Sequence, residues 1–197
     1  MSVKSNQSGR SMIEMLGVLA IIGVLSVGGI AGYSKAMTKF RINKTVDQVS
    51  QLAQNIRTLY GSQKNYSSLS ASVIKKAHLA PDEMFETSGS TTMTNPFGGS
   101  VWVSHHGKNS LGDTKAFIIG YGGIPQEACI DILTQNWGTG SSSGLIAFGD
   151  DSGIYVAYLG CNGSEVYTCA DDGVMDVVKA VSTCDSTTNN RVDWKFY

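Results

Sequence analysis

The first part of the chain is dominated by an uncharged apolar segment. It runs from Met15 to Tyr33 as MLGVLAIIGVLSVGGIAGY, nineteen residues without a charged side chain. As an α-helix this segment would be roughly 28 Å long, which is enough to cross the hydrocarbon core of a bilayer. The pattern therefore predicts a membrane-spanning helix. A cleavable signal peptide is the alternative, but its apolar region is shorter, about 7–15 residues, and ends in a small-residue cleavage site.

After Tyr33 the pattern becomes that of an amphipathic helix. Apolar residues recur at steps of three and four, which places them on one helical face: Ile42, Val46, Val49, Leu52, Ala53, Ile56, Leu59 and Tyr60. Because no proline occurs before Pro81, we expect the helix to continue unbroken to Gly61, over about 50 residues. We therefore expect lipid or other helices to surround its first half and a globular domain to pack against its second half.

Beyond the long helix, short strand patterns predict an α+β fold with an antiparallel sheet laid across the amphipathic half of that helix. Four strand patterns occupy 99–104, 115–120, 145–148 and 154–159. A fifth ends the chain, where Val192, Trp194 and Phe196 alternate with charged residues. This alternation predicts a half-buried strand.

Two shorter helices are predicted from their start and stop signals. Ser70 is a capping residue for a helix that would reach Ala80, where Pro81 ends it. Pro125 opens a second helix, which we expect to extend to Trp137.

The cysteines indicate the compartment. All four, Cys129, Cys161, Cys169 and Cys184, lie in the last third of the chain, without a Cys-x-x-Cys pair or a nearby histidine. An even number clustered in this way favours two disulfides and therefore an oxidising compartment, with four free thiols in a cytosolic protein as the alternative. The basic residues that flank the apolar segment favour a cytoplasmic location for the C-terminal domain, which carries the cysteines. Large domains, however, translocate with little regard for flanking charge. The residues alone leave three pairings open.

Charge and motifs exclude several classes of function. A net charge of −1, a pI near 6.3 and the lack of a basic run argue against nucleic acid as a partner. No nucleophile elbow, phosphate-binding loop or metal-spaced histidine pair occurs, so we expect no enzymatic activity, no catalytic residue and no cofactor. Asp150-Asp151 and Asp171-Asp172 could help to hold calcium, but residues of this type are common in turns, so no metal site is predicted.

Glu14 is unusual, because it lies at the start of the apolar helix. A carboxylate there costs about 1–3 kcal/mol, and charges within membrane helices usually have a partner. The simpler alternative is that the Glu14 side chain only reaches the lipid headgroups.

Residues 9–14, GRSMIE, followed by the apolar segment, resemble the processing signal of type IV prepilins. In that family a dedicated peptidase cuts after the glycine and methylates the new amino terminus. The resemblance implies cleavage between Gly9 and Arg10, N-methylation of Arg10, and an assembly role for Glu14 as the fifth residue of the mature chain.

Two later segments are similar to type IVb pilins, the group of toxin-coregulated and thin pili. They are TNPFGGSVWV at 94–103 and AFIIGYGGIPQEACIDIL at 116–133. The habit of one long C-terminal disulfide in this family implies the pairs Cys129–Cys184 and Cys161–Cys169.

With this resemblance we expect four segments. They are a prepilin leader at 1–9, a transmembrane and filament-core helix at 10–34, an amphipathic helix half at 35–61, and a globular α+β headgroup at 62–197. Gly28 and Gly32 have the Gly-x-x-x-Gly spacing that lets helices approach closely, although glycine is common in membrane helices anyway.

The resemblance implies a major pilin of a type IVb pilus, held first in the bacterial inner membrane and then polymerised into a surface filament for adhesion, aggregation or mating. Its partners would be other copies of the chain, prepilin peptidase and the inner-membrane assembly machinery. A minor pilin or a type II secretion pseudopilin shares this architecture. The length and the two expected disulfides favour a type IVb pilin over a pseudopilin, and the minor pilin stays open as an alternative. A membrane-tethered periplasmic enzyme or carbohydrate-binding domain would leave Glu14 and the Gly9 junction unexplained.

Overall fold

The computed structural model describes residues 12–63, 65–86, 90–106, 115–138, 143–150, 167–169 and 173–197. The chain divides into two compact units, Met1–Phe40 and Arg41–Tyr197. The strand predicted at 154–159 lies outside the described residues.

One helix, α1, runs from Met12 to Tyr60 and ends one residue before the predicted Gly61. It has no proline to interrupt it. Within the second unit its buried face carries Ile42, Val49, Leu52, Ala53, Ile56 and Tyr60, as the apolar periodicity predicts. Three details differ from that prediction: Val46 is only half-buried, Leu59 is 41% exposed, and the polar residues Thr45 and Gln48 are buried.

Thr45 and Gln48 are buried because hydrogen bonds satisfy their polar groups. Thr45 Oγ1 donates to the carbonyl oxygen of Arg41 at 3.0 Å, one turn back along the helix. Gln48 Nε2 donates to Glu83 Oε1 at 3.1 Å, and Gln48 Oε1 accepts from the hydroxyl of Tyr121 at 3.4 Å. A buried amide with both ends bonded costs little, whereas an unsatisfied one costs about 1–3 kcal/mol.

Six strands form one antiparallel sheet in the described part of the second unit. Their bounds are β1 Met93–Thr94, β2 Ser100–His106, β3 Ala116–Ile124, β4 Leu145–Gly149, β5 Tyr167–Cys169 and β6 Asn190–Phe196. The spatial order is β1-β2-β3-β6-β4-β5, so the last strand of the chain lies in the interior of the sheet. The predicted antiparallel sheet is confirmed.

The prediction that β6 is half-buried is wrong. Asp193 and Lys195, on the face expected to meet solvent, are fully buried together with Trp194 on the other face. The reason is that the second face of the sheet also carries a buried cluster: Lys195 of β6 lies between Ile118 of β3 and Ala147 of β4, which both belong to it. The charge of Asp193 is compensated by Arg191, whose guanidinium Nη2 lies 2.9 Å from Asp193 Oδ2.

The core lies between the second half of α1 and one face of the sheet. The helix contributes Ile42, Leu52 and Ile56, and the sheet contributes residues such as Phe117 and Trp194, all with no exposed surface. Burial of a side chain of this size is worth about 1.5–3 kcal/mol relative to full exposure. The predicted packing of the amphipathic helix half on the sheet is thereby confirmed.

The described part of the second unit also contains three short α-helices: α2 Ala71–Lys76, α3 Gln126–Leu133 and α4 Val177–Thr183. Ser70 caps α2, as predicted, by accepting a hydrogen bond from the backbone N–H of Val73. Both predicted helices are shorter than expected: α2 ends at Lys76 instead of Ala80, and α3 ends at Leu133, before Trp137. The third helix, α4, was not predicted.

Candidate assembly site

The first unit presents an apolar surface. From Met12 to Tyr33 all the large hydrophobic side chains of α1 are at least half exposed, including Leu16 at 63% and Val24 at 75%. This part of the helix is long and apolar enough to cross a membrane, and none of its most apolar stretch is buried within the chain. Leaving so much apolar area in water would cost about 25 cal/mol per Å², so this surface requires lipid or other protein chains around it.

Glu14 lies in the first turn of α1, exposed and flanked by the apolar side chains of Ile13 and Met15. A carboxylate is favoured at this position by the partial positive charge of a helix amino terminus, by about 0.3–1 kcal/mol at an exposed site. Within the described residues Glu14 forms no ion pair. Gly9 and Arg10, the predicted cleavage and methylation residues, lie outside the described residues.

The glycines of the first unit provide open helix surface. At Gly28 and Gly32, no side chain of the described residues comes within 4 Å of the place where a Cβ would lie. The two glycines are one turn apart on the same face, which removes side-chain bulk from that face. Their role in helix packing remains a prediction.

A disulfide joins Cys129 in α3 to Cys184, the residue that follows α4. The two Cα atoms are 6.0 Å apart, and both residues are fully buried. Gln126 Nε2 also donates to the carbonyl oxygen of Cys184 at 2.8 Å. This pairing agrees with the one that the resemblance to type IVb pilins implies, and it connects the end of α4 to α3.

The second predicted disulfide is Cys161–Cys169. Cys169 is disulfide-bonded and lies in β5, but Cys161 lies outside the described residues, so the pairing stays a prediction. Peptide mapping without reduction would test it.

A polar bridge attaches the 3₁₀ turn Asp82–Met84 to α1. Glu83 accepts hydrogen bonds from Lys44 Nζ at 2.9 Å and from Gln48 Nε2 at 3.1 Å. These bonds, with the Lys44 bond the stronger influence, hold the pKa of the Glu83 carboxyl below its usual range. The sequence pattern did not indicate this bridge, because Glu83 is 35 residues from Gln48 and no local signal links them.

The expected absence of a metal or catalytic centre is tested only in part. No group of three or more metal-ligating side chains occurs in the part of the chain that the structure describes. Of the acidic pairs considered for calcium, Asp151, Asp171 and Asp172 lie outside that part. His105 is exposed at the end of β2.

Comparison with known proteins assigns most of the chain to one family. Residues 39–196 match the family model described as PilS N terminal. Two curated relatives, from Escherichia coli O127:H6 (strain E2348/69 / EPEC) and O111:H-, are each described as the major structural subunit of bundle-forming pilus. Each is 26% identical over 136 residues, which is 69% of this chain and 68% of the relative. The crystal structure of a type IV b pilin from Salmonella typhi shares the fold, with a TM-score of 0.55 and 20% identity over 79% of this chain and 98% of that one.

Proposed function

Because this chain belongs to the PilS family, we propose that it is the major structural subunit of a type IVb pilus. The observation that carries the proposal is α1 itself. Its first part exposes apolar side chains from Met12 to Tyr33, and its last part is buried in the core of the second unit. A subunit that polymerises through one segment of a helix and folds around another segment needs one exposed and one buried part of that helix. Such a subunit needs no catalytic centre.

In the filament, the exposed apolar part of α1 would pack against the same part of neighbouring copies. Gly28 and Gly32 would allow those helices to approach closely, since nothing occupies the space beside them within the described chain. Before assembly, the same apolar surface would be covered by lipid of the bacterial inner membrane. The finished filament would be extracellular, at the cell surface.

Glu14 would act in assembly through an ion pair. Removal of residues 1–9 by prepilin peptidase would leave a new amino group on Arg10, methylated by the same enzyme. The Glu14 carboxylate of one copy would then pair with the amino terminus of a neighbour inside the apolar filament core. Opposite charges attract strongly in such surroundings, where water does not screen them.

The test examines processing and assembly together. Surface filaments labelled with an antibody against this chain should be visible by electron microscopy, and the intact mass of filament protein should correspond to a chain that begins at Arg10 with a methylated amine. A mature chain that begins between Ala31 and Ala36 would identify an ordinary signal peptide and contradict the proposal. Label confined to the membrane, with no filaments, would contradict the role of major subunit.

A further inference from the structure

A cleft along the exposed side of α1 in the second unit has no place in the assembly mechanism. It consists of two neighbouring open cavities, of about 430 Å³ and about 490 Å³, that share Gln54 and Arg57. Trp137 lines the first cavity, and Tyr66 and Tyr197 line the second. Both volumes lie in the range of small-molecule sites, about 300–1,000 Å³.

Arg57 is fixed where the two cavities meet. Its Nη1 donates to the carbonyl oxygen of Ser143 at 2.8 Å. Its guanidinium also lies against Gly144, where the backbone has φ of +70° and where a Cβ would lie only 2.4 Å from Arg57 Cζ. A larger residue at position 144 would displace the guanidinium, so the glycine creates the space that Arg57 occupies.

The charge of Arg57 is not compensated within the described chain. No aspartate or glutamate lines either cavity, and no described carboxylate forms an ion pair with Arg57. Tyr197, the last residue of the sequence, lines only the second cavity, so among the described residues it is the first cavity that has no carboxylate in its lining. Apart from the bond to Ser143, the guanidinium still offers N–H donors in a planar fork that fits a carboxylate in two-point contact. The cleft is therefore suited to a ligand with one negative charge.

The aromatic walls are held rigidly. Trp137 Nε1 donates to the carbonyl oxygen of Ile132 at 2.9 Å, and the Trp137 ring packs against Trp194 with centroids 4.9 Å apart. On the other side, the ring of Tyr66 packs against Phe117 at 4.8 Å. Half-buried rings that are fixed in this way can receive the C–H face of a sugar without a further loss of side-chain entropy.

Polar side chains lie between these walls. Gln54 lines both cavities and is exposed, and its side-chain amide offers a donor and an acceptor. Ser50 lines the first cavity. Thr58 lines the second, where its hydroxyl donates to the carbonyl oxygen of Gln54 at 2.8 Å and can therefore only accept a further hydrogen bond. Such groups match the hydroxyls of a sugar ring, whereas a simple carboxylic acid would leave them without a partner.

We propose that the first cavity of this cleft binds a carboxylated sugar, such as a hexuronic acid, with the carboxylate on Arg57 and the apolar face of the ring against Trp137. The unassembled chain has the whole cleft, so binding does not depend on filament formation. A failure to bind would therefore leave the pilus role intact, and a failure to polymerise would leave the cleft intact.

The first experiment compares three probes on the full chain in micelles of a detergent without a sugar headgroup. Saturation-transfer NMR and calorimetric titration would be used with glucuronate, glucose and acetate. We expect glucuronate to bind at least about tenfold more tightly than glucose, since the charge-assisted contact is absent from glucose. We also expect it to bind more tightly than acetate, which has no ring. Equal binding of glucuronate and glucose, or of glucuronate and acetate, would overturn the proposal.

The second experiment uses matched variants. Arg57→Gln should weaken glucuronate binding by about tenfold or more, and Arg57→Lys should restore only part of it, because a lysine lacks the fork. Arg41→Gln removes an exposed arginine of the same helix outside the cleft and should leave binding unchanged. If Arg57→Gln does not fold, Gln54→Leu provides the test. A severalfold loss of affinity would support the proposal, and unchanged affinity would refute it.

Discussion

The two units of this chain use one helix in opposite ways. Ile21 in the first unit is 63% exposed, whereas Ile56 in the second unit is fully buried, although both are isoleucines within α1. In the second unit the sheet supplies the apolar surface that covers the helix. In the first unit no other element of the described chain does so. The core of the second unit is therefore stabilised by contacts within the chain, whereas the apolar surface of the first unit requires lipid or other protein chains to cover it.

The largest effect is expected from Glu14→Val, which tests the first unit alone. In a filament core this change would leave the amino terminus of a neighbouring copy buried and unpaired, at about 3–5 kcal/mol per contact. Repeated along a filament, that loss should abolish surface pili, while the amount of chain in the membrane fraction stays normal. The measurement pairs electron microscopy of cells with immunoblots of membranes.

Glu86→Val is a suitable comparison, because Glu86 is an exposed carboxylate of the second unit. It should leave pili at near-normal abundance. Normal pili with Glu14→Val would contradict the assembly role of Glu14.

The disulfide should contribute the next largest effect, and only in the second unit. The double variant Cys129→Ser with Cys184→Ser opens a loop with a sequence separation of 55 residues. The chain-entropy model gives a loss of about 4 kcal/mol in the free energy of unfolding. All three tryptophans of the chain lie in this unit, so denaturation followed by tryptophan fluorescence in micelles reports on it. An unchanged midpoint would show that the disulfide does not stabilise the fold.

Ile56→Ala and Ile21→Ala test the comparison directly with one residue type in one helix. Ile56→Ala leaves a cavity in the core and should lower the free energy of unfolding by about 2–4 kcal/mol. Ile21→Ala should leave the unfolding of the second unit unchanged, because Ile21 contributes nothing to that core. The same fluorescence titration measures both variants, and a similar loss for the two would show that the units do not differ as described.

The smallest effect concerns Lys195, whose burial lowers the pKa of its ammonium to about 8 from an ordinary value near 10.5. Below pH 8 the folded chain carries a buried charge, which lowers stability. Between about pH 8 and 10.5 the folded state has released a proton that the unfolded state still binds, so the free energy of unfolding should rise with pH, by up to about 3 kcal/mol.

Lys195→Met should remove this rise and increase stability at pH 7. Lys76→Met, at an exposed lysine of α2, should retain it. Denaturant titrations at a series of pH values measure the difference between the variants. A wild-type stability that stays flat or falls over this interval would contradict the assignment to Lys195.

Local patterns were sufficient to predict the helical elements that carry the function. The apolar run and the three-and-four periodicity predicted α1 to within a residue of its end, because helical hydrogen bonds and side-chain faces depend on neighbours a turn away. The cap at Ser70 was predicted for the same reason. Helix α4 was missed because it has only seven residues, too few for a helical period to be recognised, although Val177, Val178 and Val181 lie on one face of it.

Residue patterns along the chain are sufficient to predict an apolar helix with a carboxylate at its start, an amphipathic continuation of that helix, and an α+β unit beyond it. The tertiary structure alone decided that β6 enters the sheet between β3 and β4, so that Lys195 and Asp193 are buried. It also decided that Arg57 meets Gly144, 87 residues later, in an open cleft. Strand order and cleft geometry depend on contacts between residues far apart in the chain, and these leave no periodic signal in the residues around either partner.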